Sequence, residues 1–125
     1  MNTMLAASLS LFAAILLATQ ANAQEFSDGA IKNFGSGAAG IAHCEVEGYI
    51  PVGTTSEYLK AILNNSPKLS GELIKKQYQN SLHDKKLYSI ARDKWIKFTP
   101  NKSDCTQIFK AYPSLLNHFK TLNNK

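Results

Sequence analysis

The sequence has few of the residues that bind metals or form redox centres. It contains two cysteines, three histidines and one tryptophan, and the cysteines do not form a Cys-x-x-Cys pair. His43, His83 and His118 are far apart in the sequence, whereas zinc ligands often occur as closely spaced pairs. The composition therefore does not indicate a metal or redox enzyme, and we expect no cofactor and no bound metal ion.

Long apolar runs are also lacking, except near the start of the chain. Residues Leu11 to Ala18 are apolar, and Ala21-Asn22-Ala23 supplies small residues for signal peptidase. The run is shorter than the roughly 18 residues that a membrane-spanning helix requires. No Lys or Arg precedes it, so its only positive charge is the amino terminus. The sequence predicts a signal peptide at residues 1–23, export to the periplasm or beyond the cell, and no membrane span after cleavage.

The part that remains after cleavage has the size of one small basic domain. Gln24 to Lys125 is about 102 residues long, enough for one modest core. All 14 basic and 9 acidic residues lie in it, so the net charge remains +5. Such a charge favours acidic partners or anionic surfaces, and export argues against a nucleic acid as the ligand. The oligomeric state is left open.

Cys44 and Cys105 are the only cysteines. In an oxidising compartment, two cysteines in a small domain predict one structural disulfide. A cysteine in a disulfide is not available as a thiolate nucleophile, so a Cys–His catalytic pair is not expected.

The first part of the exported domain is rich in glycine. Residues 24–40 predict an N-terminal arm, either loose or forming a short closely packed helix, because each mid-helix glycine costs about 1 kcal/mol. The 41–50 stretch has a partial period-two pattern, which allows one short strand. Residues 41–125 are expected to form the disulfide-bonded helical domain.

Apolar residues at helical spacing predict three helices in residues 54–98. Thr54 and Glu57 fit a capping box at the start of the first. Ser66-Pro67 indicates that a second begins with a cap and a proline at its first position. Around His83-Asp84-Lys85-Lys86 the apolar stripe changes face, which predicts a break before a third helix. That helix would carry Leu87, Ile90, Ala91, Trp95 and Phe98.

A last helix is predicted after Thr99-Pro100. Ser103 or Asp104 can cap it, and Pro113 should kink it or divide it in two. The expected fold class is therefore mainly α: a small single-domain bundle of four or five short helices closed by one disulfide.

Two motifs that resemble catalytic or cofactor sites have simpler explanations. Residues 35–40 match G-x-G-x-x-G, but no strand precedes them and the domain is too small for a dinucleotide-binding fold. Glu45 and Glu47 would share one face of a strand, as a glycan-cleaving pair of carboxylates could. A solvated strand face explains them equally well.

Basic residues are concentrated in the middle of the chain and alternate with aromatic residues. Such a mixture can bind an acidic protein, an anionic glycan or a lipid headgroup surface through charge and aromatic contact. The alternative is a solvated helical face with its aromatic rings turned inward. The candidate partner-binding residues are Tyr78, Tyr88, Trp95, Lys85 and Lys86.

In outline the chain resembles two kinds of small exported protein. Cys44 opens the core and Cys105-Thr106-Gln107 begins the last helical stretch, an arrangement similar to that of periplasmic acid-stress chaperones of the HdeA type. The Cys44 to Gly53 stretch, CEVEGYIPVG, resembles a segment of periplasmic immunity proteins that neutralise peptidoglycan-cleaving toxins. Neither resemblance assigns a role to an individual residue.

Three hypotheses for function follow. The first is a non-catalytic, exported protein-binding domain of inhibitor or immunity type. The second is a periplasmic chaperone that loosens at low pH, when its nine acidic residues take up protons. The third, and the least supported by the sequence, is a small enzyme that acts on cell wall or glycan.

Overall fold

The structure is a computed structural model that describes residues 24–122, and the predicted signal peptide lies outside this range. Within it the chain forms four helices, a two-stranded antiparallel sheet and one disulfide, which confirms the mainly helical, single-domain fold class. The elements are α1 (Asp28–Val46), α2 (Thr54–Asn64), α3 (Lys68–Asp84), β1 (Lys86–Ser89), β2 (Lys94–Lys97) and α4 (Lys102–Leu122).

The glycine-rich segment forms the long helix α1 at the centre of the fold. Gly35 lies against α3, where an added Cβ would be 2.6 Å from the Cβ of Gln77. Gly40 lies against β1, where an added Cβ would be 3.0 Å from a methyl of Leu87. Small residues therefore allow α1 to approach its neighbours closely. This packing favours the helical alternative for residues 24–40, with a longer helix than expected.

The short strand allowed at residues 41–50 is not formed. Residues 41–46 are the last turns of α1, and a turn with Gly48 at a φ of 78° follows. The buried face of α1 continues through Ile41, Ala42 and Cys44, at helical spacing. The partial period-two pattern was therefore misleading.

The predicted capping box of α2 is wrong, although the helix does begin at Thr54. The Thr54 hydroxyl donates to the carbonyl oxygen of Pro51 at 2.7 Å, and the Glu57 carboxylate accepts from the Tyr112 hydroxyl at 2.7 Å. A carboxylate from another helix takes over the capping role, since Glu45 accepts from the backbone N–H of Thr55 at 2.9 Å.

The start of α3 also differs in detail from the prediction. Lys68 is its first residue, and Pro67 occupies the cap position. The Ser66 hydroxyl donates to the Ile62 carbonyl instead of capping α3. The carboxylate of Glu25 accepts from the backbone N–H of Ser70 at 2.8 Å, so the segment before α1 caps α3.

The helix predicted after the break at residues 83–86 is a β-hairpin. The break itself is present, because α3 ends at Asp84 and the next residue, Lys85, has a φ of 53°. Instead of a further helix, β1 pairs antiparallel with β2, and Tyr88 lies opposite Trp95. The connection turns through Asp93, which has a φ of 49°.

All four helices contribute to the core, and Ile74 of α3 is fully buried in it. Phe119 packs edge-to-face against Phe34 and Tyr58, with ring centroids 4.7 and 5.7 Å apart. Burial raises the pKa of Tyr58 to about 12. Pro113 lies inside α4 without dividing it. The predicted disulfide is confirmed: Cys44 and Cys105 are bonded, fully buried and 61 positions apart in sequence.

Candidate functional site

We call residues 85–97 the basic hairpin. This segment includes five basic residues and one acidic residue, whereas the net charge of the whole chain is +5. All four residues of β2 are exposed, as are Lys85, Lys86 and Arg92. Much of the excess positive charge therefore lies on this one element.

Two polar side chains of α1 hold the basic hairpin in place. The Ser36 hydroxyl accepts from the backbone N–H of Tyr88 at 2.9 Å, and the Asn33 amide donates to the Tyr88 carbonyl at 2.9 Å. Because Ser36 is almost fully buried, the first of these bonds is shielded from water. The hairpin is thus attached to the helical core through both backbone groups of one residue.

The Tyr88 side chain is part of this attachment. Only 7% of Tyr88 is exposed, and its hydroxyl donates to the Asp93 carboxylate in the turn. That hydrogen bond is the main reason why the pKa of Tyr88 is raised. The Lys32 ammonium lies 5.3 Å from the ring centroid and also pairs with Asp28 at 2.9 Å. Tyr88 is therefore a supporting residue.

Trp95 is the exposed aromatic residue of the predicted set. It lies opposite Tyr88 in the sheet, with ring centroids 5.2 Å apart and planes at 66°. Such edge-to-face pairs contribute about 0.5–1.5 kcal/mol beyond area burial. Trp95 nevertheless remains 37% exposed, so its indole is held by a buried neighbour and accessible to a partner.

Trp95 and Lys86 line one groove between α3 and the basic hairpin. Its volume is about 270 Å³, which is below the roughly 300–1,000 Å³ of small-molecule pockets. Its other walls are polar and come from α3: Gln77, Asn80, Ser81 and Asp84. A shallow polar groove with one exposed indole and one ammonium is suited to part of a protein surface.

The remaining candidates, Lys85 and Tyr78, do not line this groove. Lys85 is the C-cap of α3, and its backbone N–H donates to the Ser81 carbonyl at 2.9 Å while its side chain is exposed. Tyr78 packs against the core, and burial raises its pKa. The five predicted residues thus divide into two groove residues, one supporting tyrosine, one exposed lysine and one core-packed tyrosine.

The side chains considered as catalytic or metal-binding candidates do not form a cluster either. Glu45 caps α2, and hydrogen bonding to Thr55 lowers its pKa, whereas Glu47 is exposed beyond α1. They do not form a carboxylate pair on a strand. Among residues 24–122, no group of three or more His, Cys, Asp or Glu side chains could hold a metal ion.

A larger open cavity of about 600 Å³ lies between α2 and α4. Glu57, Lys60 and Lys120 are the charged residues that line it, and Glu57 is already engaged by Tyr112. It contains none of the predicted residues and no exposed aromatic ring, so we regard the groove at the basic hairpin as the stronger candidate.

Sequence reasoning missed Asn33, Ser36 and Asp93, which support the site. Asn33 and Ser36 lie in the segment interpreted as an arm, 55 and 52 positions from Tyr88. No local pattern indicates such distant contacts. The usual hairpin signal is lacking as well, since the connection at residues 90–93 contains neither glycine nor an Asn-Gly or Asp-Gly pair.

Within the described part of the chain, no helix is long and apolar enough to span a membrane. Searches against family models, curated proteins and solved structures found no match to this chain. The fold thus defines a small helical domain with one disulfide and an exposed basic hairpin strand.

Proposed function

We propose that this chain is a small exported protein-binding domain, of inhibitor or immunity type, that holds an acidic surface of another protein. The observation that carries the proposal is the groove in which exposed Trp95 lies beside Lys86. Aromatic residues that are rigidly held and partly exposed are typical centres of protein interfaces.

The charge of the basic hairpin supports the choice of an acidic partner. Arg92, Lys94 and Lys97 surround the exposed indole in sequence, and the single carboxylate among them, Asp93, is engaged by Tyr88. Clustered exposed charges of one sign increase the rate of encounter with a surface of opposite charge. Lysines would therefore guide association, and Trp95 would supply contact area.

The site also favours binding over turnover. Its lining residues offer one ammonium, one carboxylate, amides, a hydroxyl and an indole, and the Ser81 hydroxyl accepts from the Gln77 amide at 3.0 Å. The groove contains no histidine that could activate this serine, as a nucleophile–base pair requires. A non-catalytic role is the simpler proposal.

The experiment that tests this proposal uses residues 24–125 as immobilised bait in a periplasmic extract of the source organism. We expect one stoichiometric protein partner, retained by wild type and lost with Trp95→Ala or Lys86→Glu. Lys102→Glu is the matched control, because Lys102 is exposed at the start of α4, outside the groove. A partner bound equally by all variants, or no stoichiometric partner, would contradict the proposal.

An acid-stress chaperone is the second candidate, favoured by the way carboxylates join the elements. Glu25 and Glu45 each accept a backbone N–H at the start of another helix. The Thr55 hydrogen bond lowers the pKa of Glu45, so acid weakens this contact while the positive charge of the chain rises, and both effects loosen the fold. Suppression of client aggregation at about pH 2–3, and not at pH 7, would favour this function over the first.

A further inference from the structure

The backbone groups at the two outer edges of the hairpin sheet differ in their hydrogen-bond partners. On β1, the outward N–H and C=O of Tyr88 are bonded to Ser36 and Asn33 of α1. On β2, the sheet ends: among the described residues it has two strands, and all four residues of β2 are exposed. One edge is satisfied by side chains, and the other faces solvent.

The register identifies which backbone groups of β2 point outward. Phe98 donates its backbone N–H to the Lys85 carbonyl at 2.9 Å, so these two residues form a hydrogen-bonded pair. Pairs alternate along an antiparallel ladder, and Tyr88 opposite Trp95 is therefore a non-hydrogen-bonded pair. The outward bonds of Tyr88 to α1 agree with this assignment. By the same alternation, the N–H and C=O groups of Trp95 and Lys97 point away from β1.

We propose that the outer edge of β2 binds an extended acidic segment of a partner protein, which adds a third strand to the sheet. This inference rests on the proposed function and specifies its mode of recognition. The backbone groups of Trp95 and Lys97 supply main-chain hydrogen bonds, as in other cases of strand addition. Side chains of the basic hairpin select the partner by charge.

Charge complementarity is the reason for an acidic occupant. Lys94 and Lys97 are the two ends of β2, and Lys86 lies opposite Lys97 on β1. An acidic strand would place carboxylates among these ammonium groups, and cross-strand pairs of opposite charge stabilise a sheet. A second copy of this chain would instead bring an equally basic hairpin to the edge, and like charges oppose that pairing.

Lysines on a short edge strand also prevent aggregation in many proteins. Charged lysines disfavour pairing with apolar strands and with a second basic edge strand. They do not repel an acidic strand. The lysines of β2 therefore disfavour non-specific strand pairing and still allow an acidic strand to bind.

The test uses a synthetic peptide, acetyl-Glu-Val-Glu-Val-Glu-Val-Glu-amide, titrated into residues 24–125 and followed by backbone amide NMR shifts. Lys97→Gln removes one charge and keeps the outward N–H. Lys97→Pro removes the charge and the N–H, while the hydrogen bond from Phe98 to Lys85 is retained, because proline is tolerated where an edge N–H faces solvent. We expect the shifts to centre on Trp95 and Lys97, and Lys97→Pro to bind about tenfold more weakly than Lys97→Gln.

A second arm leaves the protein unchanged. The same peptide with every backbone amide nitrogen methylated keeps its charge but has no N–H to donate along either of its edges. We expect its affinity for wild type to fall by about tenfold or more. This arm also decides the result if Lys97→Pro disturbs the hairpin.

The outcomes separate the inference from the proposed function. If the methylated peptide binds as well as the unmodified one, and Lys97→Pro equals Lys97→Gln, strand addition is overturned while binding of an acidic partner by side chains survives. If neither peptide binds and the bait experiment also finds no partner, both fail. A peptide with Lys in place of Glu must not bind in either case.

Discussion

The carboxylate of Glu45, the next-to-last residue of α1, accepts a hydrogen bond from the backbone N–H of Thr55 in the first turn of α2, at 2.9 Å. The two residues are ten positions apart, and the bond spans the turn that contains Gly48 and Gly53. Glu45 thereby caps a helix other than its own, and its negative charge lies at the positive end of the α2 dipole.

This contact should make stability depend on pH. The pKa of Glu45 is lowered from 4.5, chiefly by the Thr55 hydrogen bond. A carboxyl group with a lowered pKa in the folded state stabilises the fold above its unfolded-state pKa, and this contribution is lost as the pH falls through the folded-state value. We expect Glu45→Ala to lower the free energy of unfolding by about 1 kcal/mol at pH 7 and by less at pH 3. Urea titrations of variant and wild type at both pH values measure the difference. A difference that does not shrink at pH 3 would contradict the assignment.

The disulfide should supply a large part of the stability. Closing a loop between cysteines 61 positions apart lowers the entropy of the unfolded chain by an amount worth about 4 kcal/mol. We therefore expect the double variant Cys44→Ala, Cys105→Ala to unfold at much lower urea concentration than wild type. Wild type treated with dithiothreitol is the control and should behave similarly. Equal midpoints with and without reductant would show that the cross-link contributes little.

Two glycines of α1 should respond oppositely to alanine. An added Cβ at Gly37 meets nothing within 4 Å, whereas one at Gly35 would lie 2.6 Å from the Gln77 Cβ. Gly37→Ala should stabilise the protein by about 0.5–1 kcal/mol through helix propensity. Gly35→Ala should destabilise it by about 1–3 kcal/mol, because α3 must move. Thermal unfolding of both variants compares them directly, and stabilisation by both would mean that α1 and α3 are not tightly packed.

Removal of the Ser36 hydroxyl should loosen the hairpin. Ser36→Ala leaves the Tyr88 N–H without its acceptor at a buried position, which costs about 1–3 kcal/mol. Amide hydrogen exchange should accelerate at β1 and β2 before it does in α2. Ser114→Ala, at an exposed position of α4, is the control. Unchanged exchange at Tyr88 in Ser36→Ala would argue against this attachment.

Local sequence patterns were sufficient to predict the helices α2, α3 and α4. Each carries apolar residues at helical spacing over several turns, so the period is well sampled. The same reasoning failed at residues 86–97, where Leu87, Ile90 and Trp95 fit a helical spacing by coincidence. The strands there have four residues each, too few for alternation to be evident.

The candidate site could be predicted only in part. Lys86 and Trp95 were identified from composition, as an aromatic residue among lysines, and they do share a groove. The sequence could not show that Tyr78 packs against the core while Trp95 is exposed, because the burial of an aromatic ring depends on which element packs over it. The burial of Tyr88 could not be predicted either, since its backbone partners lie more than 50 positions away.

The amino-acid sequence by itself determined the helical class, the one available disulfide pairing and the concentration of positive charge in the middle of the chain. These follow from residue type and short-range spacing, which do not depend on what lies nearby in space. Tertiary structure decided that the glycine-rich segment is a central helix and that the basic segment is a hairpin with one satisfied edge and one open edge. Both depend on α1 packing closely against distant residues, where its small side chains admit α3 and β1 and its Asn33 and Ser36 supply the hydrogen bonds that a strand requires.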